Sequence, residues 1–79
     1  MQRYYFDFRD DQGLIQDEEG VELEGLEAAR LAALRRLPNP VRELSGSDAT
    51  EFAMEVRNAA GRRVLKASLV LRVQPLGSE

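Results

Sequence analysis

The sequence predicts an α+β domain in which one helix packs on one face of a four-stranded antiparallel sheet. Three observations lead to this prediction. Stretches near both ends of the chain alternate between apolar and polar side chains, which is typical of half-buried strands. Between them, Gly25 to Leu37 consists of strong helix formers without a β-branched residue. The predicted order is therefore β-β-α-β-β, and a helix layer on a sheet layer is a standard architecture.

The length of the chain suits one domain with one small core. At 79 residues, a chain buries only a little over ~60% of its unfolded surface, so its stability is marginal without a cross-link or a partner. We assign residues 1–75 to the domain and expect residues 76–79 to fray. The net charge of −3, from 14 acidic and 11 basic residues, disfavours sequence-independent binding of nucleic acid.

The first strand is predicted over residues 3–9, with Tyr4, Phe6 and Phe8 on its inner side. The opposite side then carries Arg3, Tyr5, Asp7 and Arg9. The sequence Asp10-Asp11-Gln12-Gly13 suits a type I turn closed by a left-handed glycine, after which Leu14 and Ile15 return as a short strand.

The acidic segment Asp17–Leu23 follows this hairpin. We interpret it as a turn and helix entry, with Val21 and Leu23 on the core and the acids facing the helix N-terminus. The alternative is an acidic docking surface for a basic partner.

The helix begins after Gly25, which is a weak N-cap because it has no side-chain oxygen. It is expected to end near Leu37, because Pro38 and Pro40 disfavour helical geometry in the residues before them. A short second turn over residues 40–44 is then expected, and a kinked helix continuing to Leu44 is the alternative.

One side of this helix is predicted to face the sheet. At about 100° per residue, the side chains that cluster there are Leu26, Ala29, Ala33 and Leu37, with Leu34 at the flank. Leu31 is expected to be half exposed. Alternatively, Leu31 and Leu34 form a contact surface for another subunit.

Two further strands are predicted over residues 51–57 and 62–73, joined by the turn Asn58-Ala59-Ala60-Gly61. Their inward side chains are Phe52, Met54, Val56, Leu65, Ala67, Leu69, Leu71 and Val73. Pro75 ends the last strand, because proline has no N–H to contribute to the ladder. This strand is longer than its hairpin mate, so some backbone groups must pair with the first strand, with water or with another chain.

The residue types exclude most catalytic chemistry. The chain has no histidine and no cysteine, so it lacks the commonest general base, the commonest metal ligand and the thiol nucleophile. The acidic residues Asp10, Asp11, Asp17, Glu18 and Glu19 do not match the spacing of a calcium-binding loop. We therefore expect no catalytic residues, no metal and no cofactor.

The location is expected to be the cytoplasm, without membrane attachment. The N-terminus lacks the features of a signal peptide, no apolar run approaches the ~20 residues of a membrane span, and cysteine is absent.

Binding to a partner remains as the favoured function. A marginal core, a long last strand and a wide apolar helix face indicate self-association, most simply as a homodimer, or binding to another protein. The possible contact residues are Leu31, Leu34, Tyr5 and Arg72.

Single-stranded nucleic-acid binding is the alternative function. Tyr5 would stack on a base among the cations Arg3, Arg9, Arg57, Lys66 and Arg72. Against this, Asp7 and Glu55 share that face, and ion pairs of these acids with Arg72 or Lys66 would account for the cations without a ligand.

The chain resembles a family of short bacterial proteins known as a domain of unknown function. The motifs that carry this resemblance are Arg3–Asp7, Asp17–Leu23, Leu26–Arg30, Phe52–Arg57 and Gly61–Leu65. Glu24-Gly25 stands where relatives more often have Pro-Asp, and Pro38 and Pro40 are atypical. The resemblance implies a self-contained cytosolic bacterial domain without a known activity.

Overall fold

Five strands and one helix make up the domain in a computed structural model, which describes residues 1–38 and 49–77. The elements are β1 (Gln2–Asp10), β2 (Gly13–Ile15), β3 (Val21–Leu23), α1 (Leu26–Arg36), β4 (Ala49–Asn58) and β5 (Arg63–Arg72). The predicted α+β class is confirmed. The second helical turn expected at residues 40–44 lies outside the described residues, as do residues 78 and 79 of the predicted tail.

The sheet is antiparallel, with the strand order β2-β1-β4-β5 and with β3 also paired to β1. β2 pairs with the end of β1 at Phe8–Asp10, and β3 pairs with its beginning at Gln2–Tyr4. Both lie on the edge of β1 that faces away from β4. The prediction of four strands missed β3, because Val21–Leu23 was assigned to the helix entry, whereas Tyr4 and Val21 are register partners in the sheet.

The two hairpin turns form as predicted. The Asp10 side chain accepts a hydrogen bond from the Gln12 N–H, and the Asn58 side chain accepts bonds from the N–H groups of Ala60 and Arg62. A glycine with positive φ, Gly13 or Gly61, closes each turn. In both turns a short polar side chain satisfies backbone donors that no strand can reach.

The helix also ends where the prolines predict. Leu37 has φ −65° and ψ 138°, an extended conformation that the following Pro38 favours. A helix continuing through this point to Leu44 is therefore wrong. At the other end, Gly25 provides no side-chain cap, as expected.

The core lies between α1 and the face of the sheet that the alternation predicts. Its buried members are Tyr4, Phe6, Ala29, Ala33, Met54 and Val56. Val64 also packs against this core, because a register shift at Val56/Arg57 makes it an extra residue between Arg63 and Leu65. Val73 is 57% exposed, so its predicted burial is wrong: β5 ends one residue earlier.

The helix meets the sheet through Ala29 and Ala33, as predicted, and Leu37 also packs against the core. Ala29 and Ala33 are fully buried, but Leu26, which was expected to be buried beside them, is 51% exposed. Leu31 and Leu34 are exposed as well. The methyl side chains of alanine let the helix approach the bulky Tyr4 and Phe6 closely, which a leucine at the centre of the contact would prevent.

Candidate functional site

Two carboxylates lie at the centre of the outer face, the side of the sheet opposite α1. Asp7 of β1 is the register partner of Glu55 in β4. Both residues lie on the outer face as predicted, but Asp7 is only 1% exposed and Glu55 only 7%. Like charges directly opposite each other destabilise a sheet, so this pair requires cations close by.

Arg57 neutralises Asp7. Its Nε donates to Oδ2 of Asp7 at 2.7 Å and its Nη2 donates to Oδ1 at 3.2 Å, a two-bond contact that suits the planar guanidinium. The same Nη2 donates to the backbone oxygen of Asp17 at 2.8 Å. The guanidinium carbon also lies 4.8 Å from the ring centre of Tyr5, within the range of a cation–π interaction.

Arg9 and Arg63 flank Glu55. The Nε of Arg9 donates to Oε2 of Glu55 at 3.2 Å, and the Nε of Arg63 lies 3.3 Å from Oε1 without hydrogen-bond geometry. Among the described residues, the ion pairs predicted with Lys66 or Arg72 do not form. Guanidinium groups from neighbouring strand positions reach the carboxylate instead, although Lys66 is its direct register partner.

Asp17 fills a gap in the sheet. Between the short strands β2 and β3, the N–H of Phe6 has no strand partner, and Oδ2 of Asp17 accepts its hydrogen bond at 3.0 Å. The Asp17 N–H in turn donates to Oδ1 of Asp7 at 2.9 Å. Oδ1 of Asp17 accepts hydrogen bonds from the N–H groups of Glu19 and Gly20, each at 3.1 Å. Asp17 thus binds β1 near Arg36 in the last turn of α1 and does not face the helix N-terminus as expected, whereas Val21 and Leu23 pack against the core as predicted.

Gly20 allows this segment to lie against β1. It has φ +70°, and an added Cβ would come within 2.8 Å of the Tyr4 backbone oxygen and 2.9 Å of Cε2 of Tyr5. Any larger residue would therefore be strained and would push the acidic loop away from the strand.

Both aspartates have a pKa below the ordinary value. Burial of Asp7 raises its pKa, but the hydrogen bonds from Arg57 and from the Asp17 N–H, together with the charge of Arg57, outweigh this effect. For Asp17, burial is likewise outweighed by the N–H groups of Phe6, Gly20 and Glu19 and by the charge of Arg36. Asp7 in turn raises the pKa of Arg57. All three groups are therefore charged at neutral pH.

This cluster, which we call the outer network, comprises Asp7, Asp17, Glu55, Arg9, Arg57 and Arg63. Its aspartates are stabilised in the ionised form, which is unsuited to a general acid. A shallow depression of about 350 Å³ lies beside it, lined by residues that include Tyr5, Asp17 and Arg57. Within residues 1–38 and 49–77, no three acidic side chains are grouped so that they could hold a metal ion.

The structure places the four predicted contact residues on three different elements. Tyr5 is half-buried, with Arg57 over its ring. Arg72 is exposed at the end of β5, and Leu31 and Leu34 are exposed on α1. The cations of the nucleic-acid hypothesis are also dispersed: Arg9 and Arg57 bind carboxylates, and Arg3 donates to the Glu19 backbone oxygen.

The network residues that the sequence analysis missed are Asp17 and Arg63. A local signal existed for Asp17, since an aspartate followed by a glycine three residues later suits a turn closed by the side chain. No local signal indicated Arg63, because its position beside Glu55 depends on the register of β4 with β5.

The sequence profile of one protein family, described as Domain of unknown function (DUF6894), matches residues 3–70. The chain belongs to this family. The matched part of this DUF6894 domain contains the whole outer network and all of α1. No curated protein and no solved structure matches the chain. Within the part of the chain that the structure describes, no helix of the DUF6894 domain is long and apolar enough to span a membrane.

Proposed function

We propose that this DUF6894 domain is a non-catalytic module that associates with a second copy of itself in the cytoplasm of a bacterium. One observation supports this proposal above the others: α1 contacts the sheet through alanines and leaves its leucines in solvent. Leu26, Leu31 and Leu34 are 51%, 41% and 48% exposed, respectively. Single exposed leucines are common, but three on an 11-residue helix form a surface suited to a partner.

The energetic argument favours association. Full burial of a leucine side chain contributes about 1.5–3 kcal/mol, so covering even two half-exposed leucines on each of two partners would contribute several kcal/mol. The core is small: among residues 1–38 and 49–77, the buried cluster contains six residues. An interface would therefore add substantially to a marginal core.

The charged face supports a structural role over a catalytic or nucleic-acid-binding one. The carboxylates of the outer network bind arginines and backbone N–H groups, and the low pKa of Asp7 and Asp17 keeps them ionised. Arg9 and Arg57 already have anionic partners, so phosphate groups would have to compete with these contacts.

The test is the mass of the protein in solution. Light scattering at micromolar concentration should give twice the monomer mass of 8.9 kDa. Leu34→Glu should shift the protein toward the monomer, whereas Ile15→Glu should not, because Ile15 is 68% exposed at the opposite edge of the sheet. A folded wild-type protein that remains monomeric at several hundred micromolar would disprove the proposal.

A further inference from the structure

We infer that β5 forms the dimer interface. Its free edge pairs in antiparallel orientation with β5 of a second copy, about a two-fold axis through Ser68. Leu26 and Leu34, which we call the leucine flank of α1, then cover the paired strands. The inference rests on the proposed self-association and adds its surface, its register and its symmetry. Three observations carry it: the free edge of β5, the position of α1 above it, and the self-complementary order of the β5 side chains.

The outer edge of β5 is long, and no other strand of the described residues pairs with it. β5 is the last strand in the order β2-β1-β4-β5, and among the described residues it pairs with β4 alone. Its ten residues contain no proline, and Val70 on its outer face is 56% exposed. A long apolar edge exposes unpaired N–H and C=O groups, which form a ready site for another strand.

The helix places leucines on the side of β5. Arg36 lies over the Phe6 ring, 4.3 Å from its centre, and its charge acts on Asp17, so this flank of α1 faces β1 and the acidic loop. At about 100° per residue, Leu26 and Leu34 lie about 80° and 160° around the helix from Arg36, beyond the buried alanines. They therefore lie on the opposite flank, toward β5, over which α1 packs. Leu31 points away from the sheet.

Symmetry restricts the pairing of two β5 strands. If the two-fold axis passes through a residue, both helices lie on the same face and the apolar rows continue from one copy to the other. An axis through Leu69 would place Lys66 opposite Arg72 of the partner subunit, and an axis through Ala67 would bring the two Lys66 side chains into diagonal contact. Both arrangements oppose like charges.

An axis through Ser68 places no like charges directly opposite each other, although Lys66 lies diagonal to Arg72 of the partner subunit, and it aligns the apolar side chains best. It places Leu65 opposite Leu71 of the partner subunit and Ala67 opposite Leu69 of the partner subunit, all on the face that carries α1. On the outer face, Lys66 lies opposite Val70 of the partner subunit. The row of β5 side chains is thus complementary to itself in this register, which favours a second copy over an unrelated strand.

The helices also meet at a suitable distance. Neighbouring strands are about 4.8 Å apart, so a helix above β4 and β5 lies about 5 Å from the axis. Two such helices are then about 10 Å apart, which is a normal packing distance. A stable dimer buries about 800 Å² on each partner, and the leucine flanks add to the area of the strand edge.

Two substitutions at Val70 test the register. Val70 lies opposite Glu51 within the chain and opposite Lys66 of the partner subunit in the inferred dimer. Val70→Lys should therefore weaken the dimer about fivefold, and Val70→Glu should strengthen it by a similar factor. The stability of the isolated monomer should change in the opposite direction, because a lysine at position 70 would attract Glu51 and a glutamate there would repel it.

Sedimentation equilibrium gives the dissociation constant of the dimer. Urea denaturation at protein concentrations well below that constant gives the stability of the monomer. Opposite signs for dimer and monomer support the inference. Equal dimer constants for the two variants, or changes of dimer and monomer in the same direction, overturn it.

Cross-linking tests the axis directly. The chain has no cysteine, so a single introduced thiol can form a disulfide only between two copies. Ser68→Cys should cross-link under mild oxidation, whereas Lys66→Cys and Val70→Cys should not, although all three positions are exposed on the outer face of β5. Cross-linking at position 66 or 70 in preference to 68, or equal cross-linking at all three, overturns the inference.

The helix provides a matched pair of variants. Leu34→Glu should weaken the dimer at least tenfold more than Leu31→Glu, because only Leu34 lies on the flank toward β5. Equal effects of the two substitutions on the dissociation constant would contradict the inferred interface. A wild-type monomer would remove both the proposed function and this inference, whereas a wild-type dimer without the Ser68→Cys cross-link would remove the inference alone.

Discussion

The two faces of this sheet are both buried at their centre, but by opposite means. On the inner face, Tyr4, Phe6, Met54 and Val56 pack against the alanines of α1. On the outer face, Asp7 and Glu55 are almost as inaccessible, yet arginine side chains and an acidic loop cover them. Apolar burial is non-directional and adapts to changes of shape. Burial of charge requires specific partners, so the removal of one leaves the others uncompensated.

The largest loss is expected on the inner face. Phe6→Ala should cost about 3–5 kcal/mol of unfolding free energy, because it removes a buried aromatic ring and leaves a cavity. For a domain of this size, such a loss is close to the total stability. Urea denaturation followed by circular dichroism provides the measurement. The control Ile15→Ala, on an exposed side chain at the opposite edge of the sheet, should remain within about 0.5 kcal/mol of the wild type.

Replacement of Arg57 tests whether the outer face is as sensitive as the inner one. Arg57→Met should cost about 3 kcal/mol, because Asp7 would remain buried without its cation. Arg62→Met is the control, since Arg62 is an exposed arginine just before β5 and lies outside the outer network. The double variant Asp7→Leu/Arg57→Met should recover much of the loss, because an apolar pair carries no uncompensated charge. A single variant as stable as the wild type would show that the ion pair does not stabilise the outer face.

Gly20 tests the backbone support of the outer network. Gly20→Ala should cost about 1–3 kcal/mol, because alanine is strained at φ +70° and its Cβ would contact Tyr4 and Tyr5. Gly25→Ala is the matched control, with open space around its added Cβ. Thermal unfolding of the two variants gives the comparison. Equal melting temperatures would show that the acidic loop is not held in place against β1.

Low pH should reduce the stability of the protein through the outer face, because Asp7 and Asp17 lie there. The pKa of Asp7 and that of Asp17 are lower in the folded protein than the ordinary value of 3.8. Their contribution to stability is therefore complete above about pH 4–5 and is lost as the pH falls through the folded-state pKa values. Asp17→Asn should make the urea midpoint less dependent on pH below pH 4. Asp11→Asn, which changes an exposed turn residue, should leave that dependence unchanged. Parallel curves for Asp17→Asn and the wild type would contradict this prediction.

The site was less predictable than the fold because its contacts join distant parts of the chain. The Asp7–Arg57 pair spans 50 positions and the Arg9–Glu55 pair spans 46. Alternation placed Asp7 and Arg57 on one face, but the choice between Arg57, Lys66 and Arg72 as partner depended on strand register. The exposure of Leu26 on α1 was equally hard to foresee, because an apolar arc wider than its contact can pack through either flank.

Short-range chemistry by itself determined much of this domain. Period-two alternation decided which strand residues face the helix, Pro38 ended α1, and Asp10 and Asn58 closed the hairpins, because each effect involves residues only a few positions apart. Only the tertiary structure decided that Leu26 lies outside the contact of helix and sheet, that Asp17 fills the gap beside Phe6, and that arginines lie on both sides of Glu55. Those outcomes depend on how closely two layers approach and on which strands become neighbours, and neither property resides in a local stretch of sequence.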